Sequence, residues 1–361
     1  MTAVRSADGS RGIMADREPE VFFSRVLETF ERAADRAGTE HAELTIAGRR
    51  VTLQFAGPTL LPLVLPALHQ QAPGPESLDG LTVKLFDSSS TQVVPPAPPW
   101  GPHAYGPQGA IEGFNSRRYR TAYRVDAACL SLVDLERKVA VFWIRDADRY
   151  PTWMRAAPLR TILGWWAATE RLQMVHGAAV GIGGAGVLIT APGGSGKSTT
   201  ALRCLIDGFR YAGDDYVLVD ADRRVAHPVY ATAKADDRAI DAFFPQLKQE
   251  SSGVIEGDTR KHVFLLDRVF ADRLHHVRLS AIAVPSLTDG PSTFTPAGSV
   301  EALKALAPST LFQQAGSGRE DFDRMAELVR SVPIYLLSVS RNGEIERTIA
   351  QLLATVAGNT P

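Results

Sequence analysis

The stretch Gly186-Val187-Leu188-Ile189-Thr190-Ala191-Pro192-Gly193-Gly194-Ser195-Gly196-Lys197-Ser198-Thr199-Thr200 decides the reading of this chain. Its apolar opening reads as a buried strand, Ser198 to Asp207 reads as a helix ending at Gly208, and the turn between them has the composition of a phosphate-binding loop. Gly193, Gly194 and Gly196 open backbone conformations closed to residues with a Cβ. Successive N–H groups can then converge on phosphate oxygens at a helix N-terminus, where the helix dipole also favours negative charge. The expected nucleotide-binding segment is Ala191, Pro192, Gly193, Gly194, Ser195, Gly196, Lys197, Ser198 and Thr199. Lys197 is placed to reach the β- and γ-phosphates, and the Ser198 hydroxyl to ligate Mg²⁺. The usual pattern opens with glycine where this chain has Ala191.

Composition narrows the class of protein. The chain has 361 residues, 45% of them hydrophobic, enough for a large core and about two domains. A net charge of −1 without a Lys/Arg-rich run gives no electrostatic argument for a nucleic-acid partner. The polar N-terminal stretch lacks the apolar core of a signal peptide, and Leu60 to Leu68, the most apolar run, is short and broken by Pro62 and Pro66. No membrane partner is expected. Cys129 and Cys204 stand alone without metal-ligand spacing, which makes a reducing cytoplasm the expected location.

Residues 1–19 are polar without apolar period and are expected to form a disordered tail. Phe22, Val26, Leu27 and Phe30 then recur at helical spacing, and His41 to Phe55 reads as two strands joined at Ala47-Gly48. Single strands are expected in Ala122 to Leu132 and in Val139 to Ile144, with a Pro-rich loop from Ser88 to Gly106. A helix over Leu159 to Arg171 carries Trp165 and Trp166 as core residues. Further strands are expected at Val175 to Val180, before the loop strand, and at Lys261 to Leu266, Ser280 to Val284 and Ile334 to Val339, with helices at Ser299 to Leu306 and Glu344 to Val356. The division expected is a tail over 1–19, an α+β domain over 20–150 and an α/β nucleotide-binding domain over 151–361.

Phosphoryl transfer needs a phosphate cradle, a metal and a group that takes the proton of an attacking hydroxyl. Asp214 and Asp215, adjacent beside an apolar strand, are candidates for the last two functions, because neighbouring side chains at a strand end point opposite ways. A Gly-Asp-Asp surface turn would contain the same residues, and a lone His176 on an apolar strand is ordinarily a satisfied core histidine.

The set of His176, the loop Ala191 to Ser198 and Asp214-Asp215 resembles the catalytic domain of the HPr kinase/phosphorylase family, whose fold is related to phosphoenolpyruvate carboxykinase. Lys197 follows His176 by 21 residues and precedes Asp215 by 18, intervals that match that family. The resemblance is specific over about Met174 to Asp220. It implies that Asp215 is the general base for a serine hydroxyl, that Asp214 serves metal and geometry, and that His176 lies beside the transferred phosphate. The family's Arg-rich Pro-Val-Arg-Pro-Gly-Arg-Asn stretch has no counterpart at Ala283 to Thr288, so the chain looks closer to divergent serine kinases of the family. Some of these modify ribosomally made peptide precursors. With that arginine missing, Lys261 is the first candidate to meet transition-state charge, ahead of Lys234 and Arg238. The function expected is an ATP- and Mg²⁺-dependent kinase acting on a serine of a peptide or protein. The alternatives are a kinase of a small hydroxylated molecule such as free serine, and a nucleotide-binding regulatory module.

Overall fold

The computed structural model describes residues 16–358 apart from positions 70, 73, 75, 76, 269, 317 and 342. Most of the expected N-terminal tail lies outside these residues, but its last part does not behave as a tail. Helix α1 (Arg17–Ala37) begins at Arg17, with Pro19 buried in its first turn, where a missing N–H costs no hydrogen bond. Phe22, Phe23, Val26, Phe30 and Ala33 form its apolar face. That face packs against a six-stranded sheet, in a cluster with Phe86, Leu130, Leu132, Val141 and Trp143.

The sheet is made of β1 (Thr39–Ile46), β2 (Arg49–Ala56), β3 (Leu78–Asp87), β4 (Tyr119–Arg124), β5 (Cys129–Asp134) and β6 (Val139–Ile144), in the spatial order β1-β2-β3-β6-β5-β4. Strand β3 has no counterpart in the sequence expectations. Its Gly80 sits so close to the neighbouring strand that a Cβ would lie 2.3 Å from the Arg50 carbonyl oxygen, at the register shift between Arg50 and Val51. The single strand expected over Ala122 to Leu132 is instead the hairpin β4–β5. Its turn passes through Ala128 at φ 47°, and Arg124 pairs with Cys129 across it.

Helix α2 (Arg160–Thr169) follows, and Trp165 and Trp166 are buried in it. A nine-stranded sheet then takes β7 (Leu172–His176), β8 (Ala178–Ile182), β9 (Ala185–Ile189), β10 (Arg210–Gly213), β11 (Tyr216–Asp220) and β12 (Val225–His227). The expected continuous strand from Val175 to Val180 breaks at Gly177, so that β7 pairs with β11 while β8 pairs with β9 and β10. Helix α3 (Lys197–Ile206) leaves the loop after β9. Strand β13 (Thr232–Asp236), helix α4 (Asp237–Phe243), β14 (Ser251–Ile255) and β15 (Lys261–Leu265) form a small appendage, a three-stranded antiparallel sheet with β15 in the middle. The chain then re-enters the large sheet through β16 (Val277–Thr288) and β17 (Thr293–Ala297). It closes with α5 (Ser299–Leu311), α6 (Arg319–Ser331), β18 (Ile334–Ser340) and α7 (Ile345–Gly358).

Strand β16 runs parallel to β9 on one side and to β18 on the other. Such strands are buried on both faces and read as apolar runs, as Val187-Leu188-Ile189 does. On one face α3 and α7 cover the sheet in a cluster containing Val187, Ile189, Leu202, Leu205, Ile349 and Leu352. On the other, α5 and α6 bury Leu306, Met325 and Leu328 against Val175, Leu188 and Val217. A third cluster joins the two large sheets, with Leu53, Leu85 and Phe142 in continuous packing with Trp166, Met174, Tyr216 and Leu218.

Candidate functional site

The loop between β9 and α3 runs straight into a helix N-terminus. Gly194 (φ 79°) and Gly196 (φ 89°) take left-handed conformations, and Gly196 caps α3 with no side-chain hydrogen bond on the first-turn N–H groups. A Cβ built on Gly193 or Gly194 meets no heavy atom within 4 Å, so the space beside these two residues is open. Ala191 departs from the usual glycine without strain, because its φ is not positive and its methyl group is buried. Lys197 is 6% exposed and folds back on the loop, donating to the carbonyl oxygens of Ala191 at 2.6 Å and Pro192 at 3.0 Å. Burial holds its pKa below the ordinary lysine value, and the charge of Lys261 adds to the effect against the opposing pull of Asp215.

Beside the loop, the antiparallel pair β7–β11 sets His176 opposite Tyr216, and the rings stack at 5.3 Å. The two carboxylates before Tyr216 separate, as strand geometry requires. Asp214 is 2% exposed, turned into the protein, and accepts the Lys234 backbone N–H at 3.1 Å. Burial pushes its pKa up to about 6, with the neighbouring charge of Asp215 as the second cause. Asp215 points into a cleft. One oxygen lies 3.2 Å from His176 Nε2 and the other 2.5 Å from Lys234 Nζ. Burial alone would raise the Asp215 pKa, but the Lys234 ammonium and the His176 N–H outweigh it and hold the carboxyl well below its usual range.

A chain of hydrogen bonds continues behind His176. Arg160 Nη1 donates to the Tyr216 hydroxyl, which donates to Gln313 Oε1; the Gln313 amide nitrogen lies 2.8 Å from His176 Nδ1. The direction is set at the two ends, since a guanidinium only donates and a carboxylate only accepts. Nε2 therefore directs its N–H at Asp215, while Nδ1 faces both the Gln313 amide nitrogen and, at 3.3 Å, the Ser309 carbonyl oxygen.

The cleft has a volume of about 1090 Å³ and takes walls from both halves of the chain. The loop residues Gly193, Gly194, Gly196, Lys197, Ser198 and Thr199 line it, together with Asp215, Tyr216, Lys234 and Lys261, and with Ala122, Ser131 and Phe142 of the six-stranded sheet. Of the sequence-predicted residues, the structure brings together His176, Lys197, Ser198, Asp215 and Lys261. Lys261 opens β15 and stays exposed on the wall. The ammonium in contact with Asp215 belongs to Lys234, which the sequence reading ranked behind it. His176 is held against Asp215, the Gln313 amide and the Tyr216 ring.

A metal fits this site only in part. Ser198 lines the cleft, whereas Asp214, the other expected ligand, does not. Among the described residues no group of three or more His, Cys, Asp or Glu is arranged to hold a metal ion. Arg160, Tyr216 and Gln313 escaped the sequence reading, and no motif marks them: Gln313 reaches His176 from 137 residues away. The one local signal is a hydroxyl-bearing aromatic directly after the Asp-Asp pair.

No protein-family model matches the chain, and no curated protein matches it. Among solved structures, this chain is similar to the HPr(Ser) kinase/phosphatase from Coxiella burnetii at 14% sequence identity and a TM-score of 0.28, over 52% of this chain and 93% of that one. No helix among the described residues is long and apolar enough to cross a membrane.

Proposed function

We propose that this protein is an ATP-dependent kinase that transfers the γ-phosphoryl group to a serine hydroxyl of a peptide or protein. One observation carries the reading: an open phosphate loop at a helix N-terminus shares a cleft with a carboxylate fixed at both oxygens. The loop N–H groups and Lys197 bind and orient the phosphates, Lys197 exchanging its contacts with Ala191 and Pro192 for phosphate oxygens. Asp215 accepts the proton of the attacking hydroxyl. Its low pKa suits a loose transition state, in which the hydroxyl loses its proton late, after the phosphoryl group has largely left ADP. Lys234 keeps Asp215 ionised and adds positive charge where the phosphoryl oxygens pass. Mg²⁺ bound with the nucleotide would find the Ser198 hydroxyl on the cleft wall and would supply charge neutralisation.

The test is incubation with γ-labelled ATP, Mg²⁺ and peptides or proteins encoded beside the gene. Label on serine is the expected result. ATP binding with release of inorganic phosphate as the sole product would point to a nucleotide-driven switch instead.

A further inference from the structure

Besides the loop and Asp215, the lining of the cleft includes Tyr216, Arg160 and Trp153, with Ser131 and Phe142 of the six-stranded sheet. Cations on the cleft wall mostly have carboxylate partners. Arg203 pairs with Glu346, Arg124 with Asp126, and Lys234 with Asp215. Among the described residues Lys197, Arg238 and Lys261 lack one, Lys197 being held by backbone carbonyl oxygens and the other two exposed, and so does Arg160. It is half-buried, lies 4.7 Å over the Tyr216 ring and donates one hydrogen bond to the Tyr216 hydroxyl. Among the described residues no carboxylate lies within ion-pair distance of it.

A guanidinium has five donors in a fixed fork that matches a carboxylate, and a half-buried charge without a counter-ion is costly. Arg160 is also the first residue of α2, whose N-terminus has no side-chain cap and lines the cleft through Leu159, Arg160 and Thr161. On the kinase reading the phosphates of a nucleotide would be met by the glycine loop, Lys197 and Lys261. Resting on that reading, we propose that Arg160 receives a carboxylate of the phosphoryl acceptor, so that the substrate class is an acidic hydroxyl compound whose anion anchors it beyond Tyr216. The relay from Arg160 through Tyr216, Gln313 and His176 to Asp215 then links acceptor binding to the group that takes the hydroxyl proton.

The carboxylate could belong to a glutamate near the serine in a peptide or to a free hydroxy amino acid, and the probes separate these sources. One arm uses blocked hexapeptides with a single serine and a glutamate moved through each flanking position, each with a glutamine twin. The other arm uses free L-serine against L-serinamide. Transfer from γ-labelled ATP is measured with full-length wild type, Arg160→Gln and Arg160→Lys, and ATP affinity is measured separately. The expected result is a preference of about tenfold or more in kcat/KM for the acidic member of one pair, the size of a charge-assisted hydrogen bond. That ratio should collapse in Arg160→Gln and fall partly in Arg160→Lys, while ATP affinity stays within about twofold. Using the ratio removes any change in absolute rate caused by disturbing the relay. Equal use of acidic and neutral twins, an acidic preference that survives Arg160→Gln, or no transfer to any acidic probe while ATP is bound would each overturn the inference and leave the nucleotide reading standing. Loss of ATP affinity in Arg160→Gln would give Arg160 to the nucleotide and overturn it as well. Failure of wild type to bind ATP would overturn the kinase reading itself.

Discussion

Two adjacent aspartates with opposite surroundings show how much a single residue's environment decides. Asp215 keeps its charge because Lys234 and His176 N–H groups meet it, whereas Asp214 sits in the interior with its charge opposed by burial. On the proposed reading, Asp215→Asn should abolish phosphoryl transfer and leave ATP binding within about twofold, since the amide cannot take the hydroxyl proton and the phosphate contacts would come from the loop. Lys197→Ala should instead weaken ATP binding together with transfer; a labelled-ATP binding assay beside the transfer assay separates the two. Exchange of these two phenotypes would refute the roles assigned. For Asp214 the sign of the pH effect is definite. Its folded pKa of about 6 exceeds the ordinary 3.8, so the native state holds a proton more tightly than the unfolded chain, and the burial penalty is fully present above pH 6. Asp214→Asn keeps an acceptor for the Lys234 N–H and should raise stability at pH 8 by about 1–3 kcal/mol. The gain should shrink as pH falls through 6 and vanish below about pH 4. Urea unfolding at pH 8, 6 and 4 measures it, and a pH-independent difference would contradict this account.

At the level of elements, the strand carrying the loop is held by close approach. A Cβ on Gly186 would lie 2.1 Å from Val277 Cγ1 and 2.8 Å from the Arg278 carbonyl oxygen, both in the parallel neighbour β16. Val277 is itself buried. Gly186→Ala should therefore destabilise the protein by about 1–3 kcal/mol, the cost of overpacking a core, and should weaken ATP binding by displacing the loop. An unchanged urea midpoint would show that β9 and β16 are not packed in this way. The loop strand, α3, and α2 with its two tryptophans were legible because apolar period and glycine punctuation are local signals. The splits at Gly177 and at Val125 to Ala128 were not, because an apolar run reads alike whether one strand continues or two strands meet at a corner. Helix α6 went unforeseen in a charged stretch whose apolar residues Met325, Leu328 and Val329 only make sense against α5.

Across the whole molecule, the six-stranded sheet and the nine-stranded sheet share one apolar cluster, and the cleft takes a wall from each. Thermal unfolding of the full chain should therefore show one cooperative transition. A fragment of residues 151–361 should lose cooperative unfolding, because Leu172, Met174, Tyr216 and Leu218 would lose their packing partners from the six-stranded sheet and form a contiguous exposed apolar patch. Calorimetry of both chains tests this, and a fragment with its own sharp transition would show that the shared cluster is an interface between independent units. The sequence alone determined the glycine-rich loop, the strand and helix that frame it, and the candidacy of His176, Lys197, Ser198 and Asp215, since these depend on residue type and on spacing within about forty positions. Only the tertiary structure decided that Lys234 holds Asp215, that Asp214 turns inward, and that Arg160 and Gln313 join the site. A hydrogen bond depends on distance and direction in space, and residues brought from β13, α2 and the end of α5 leave no trace of that meeting in the order of the chain.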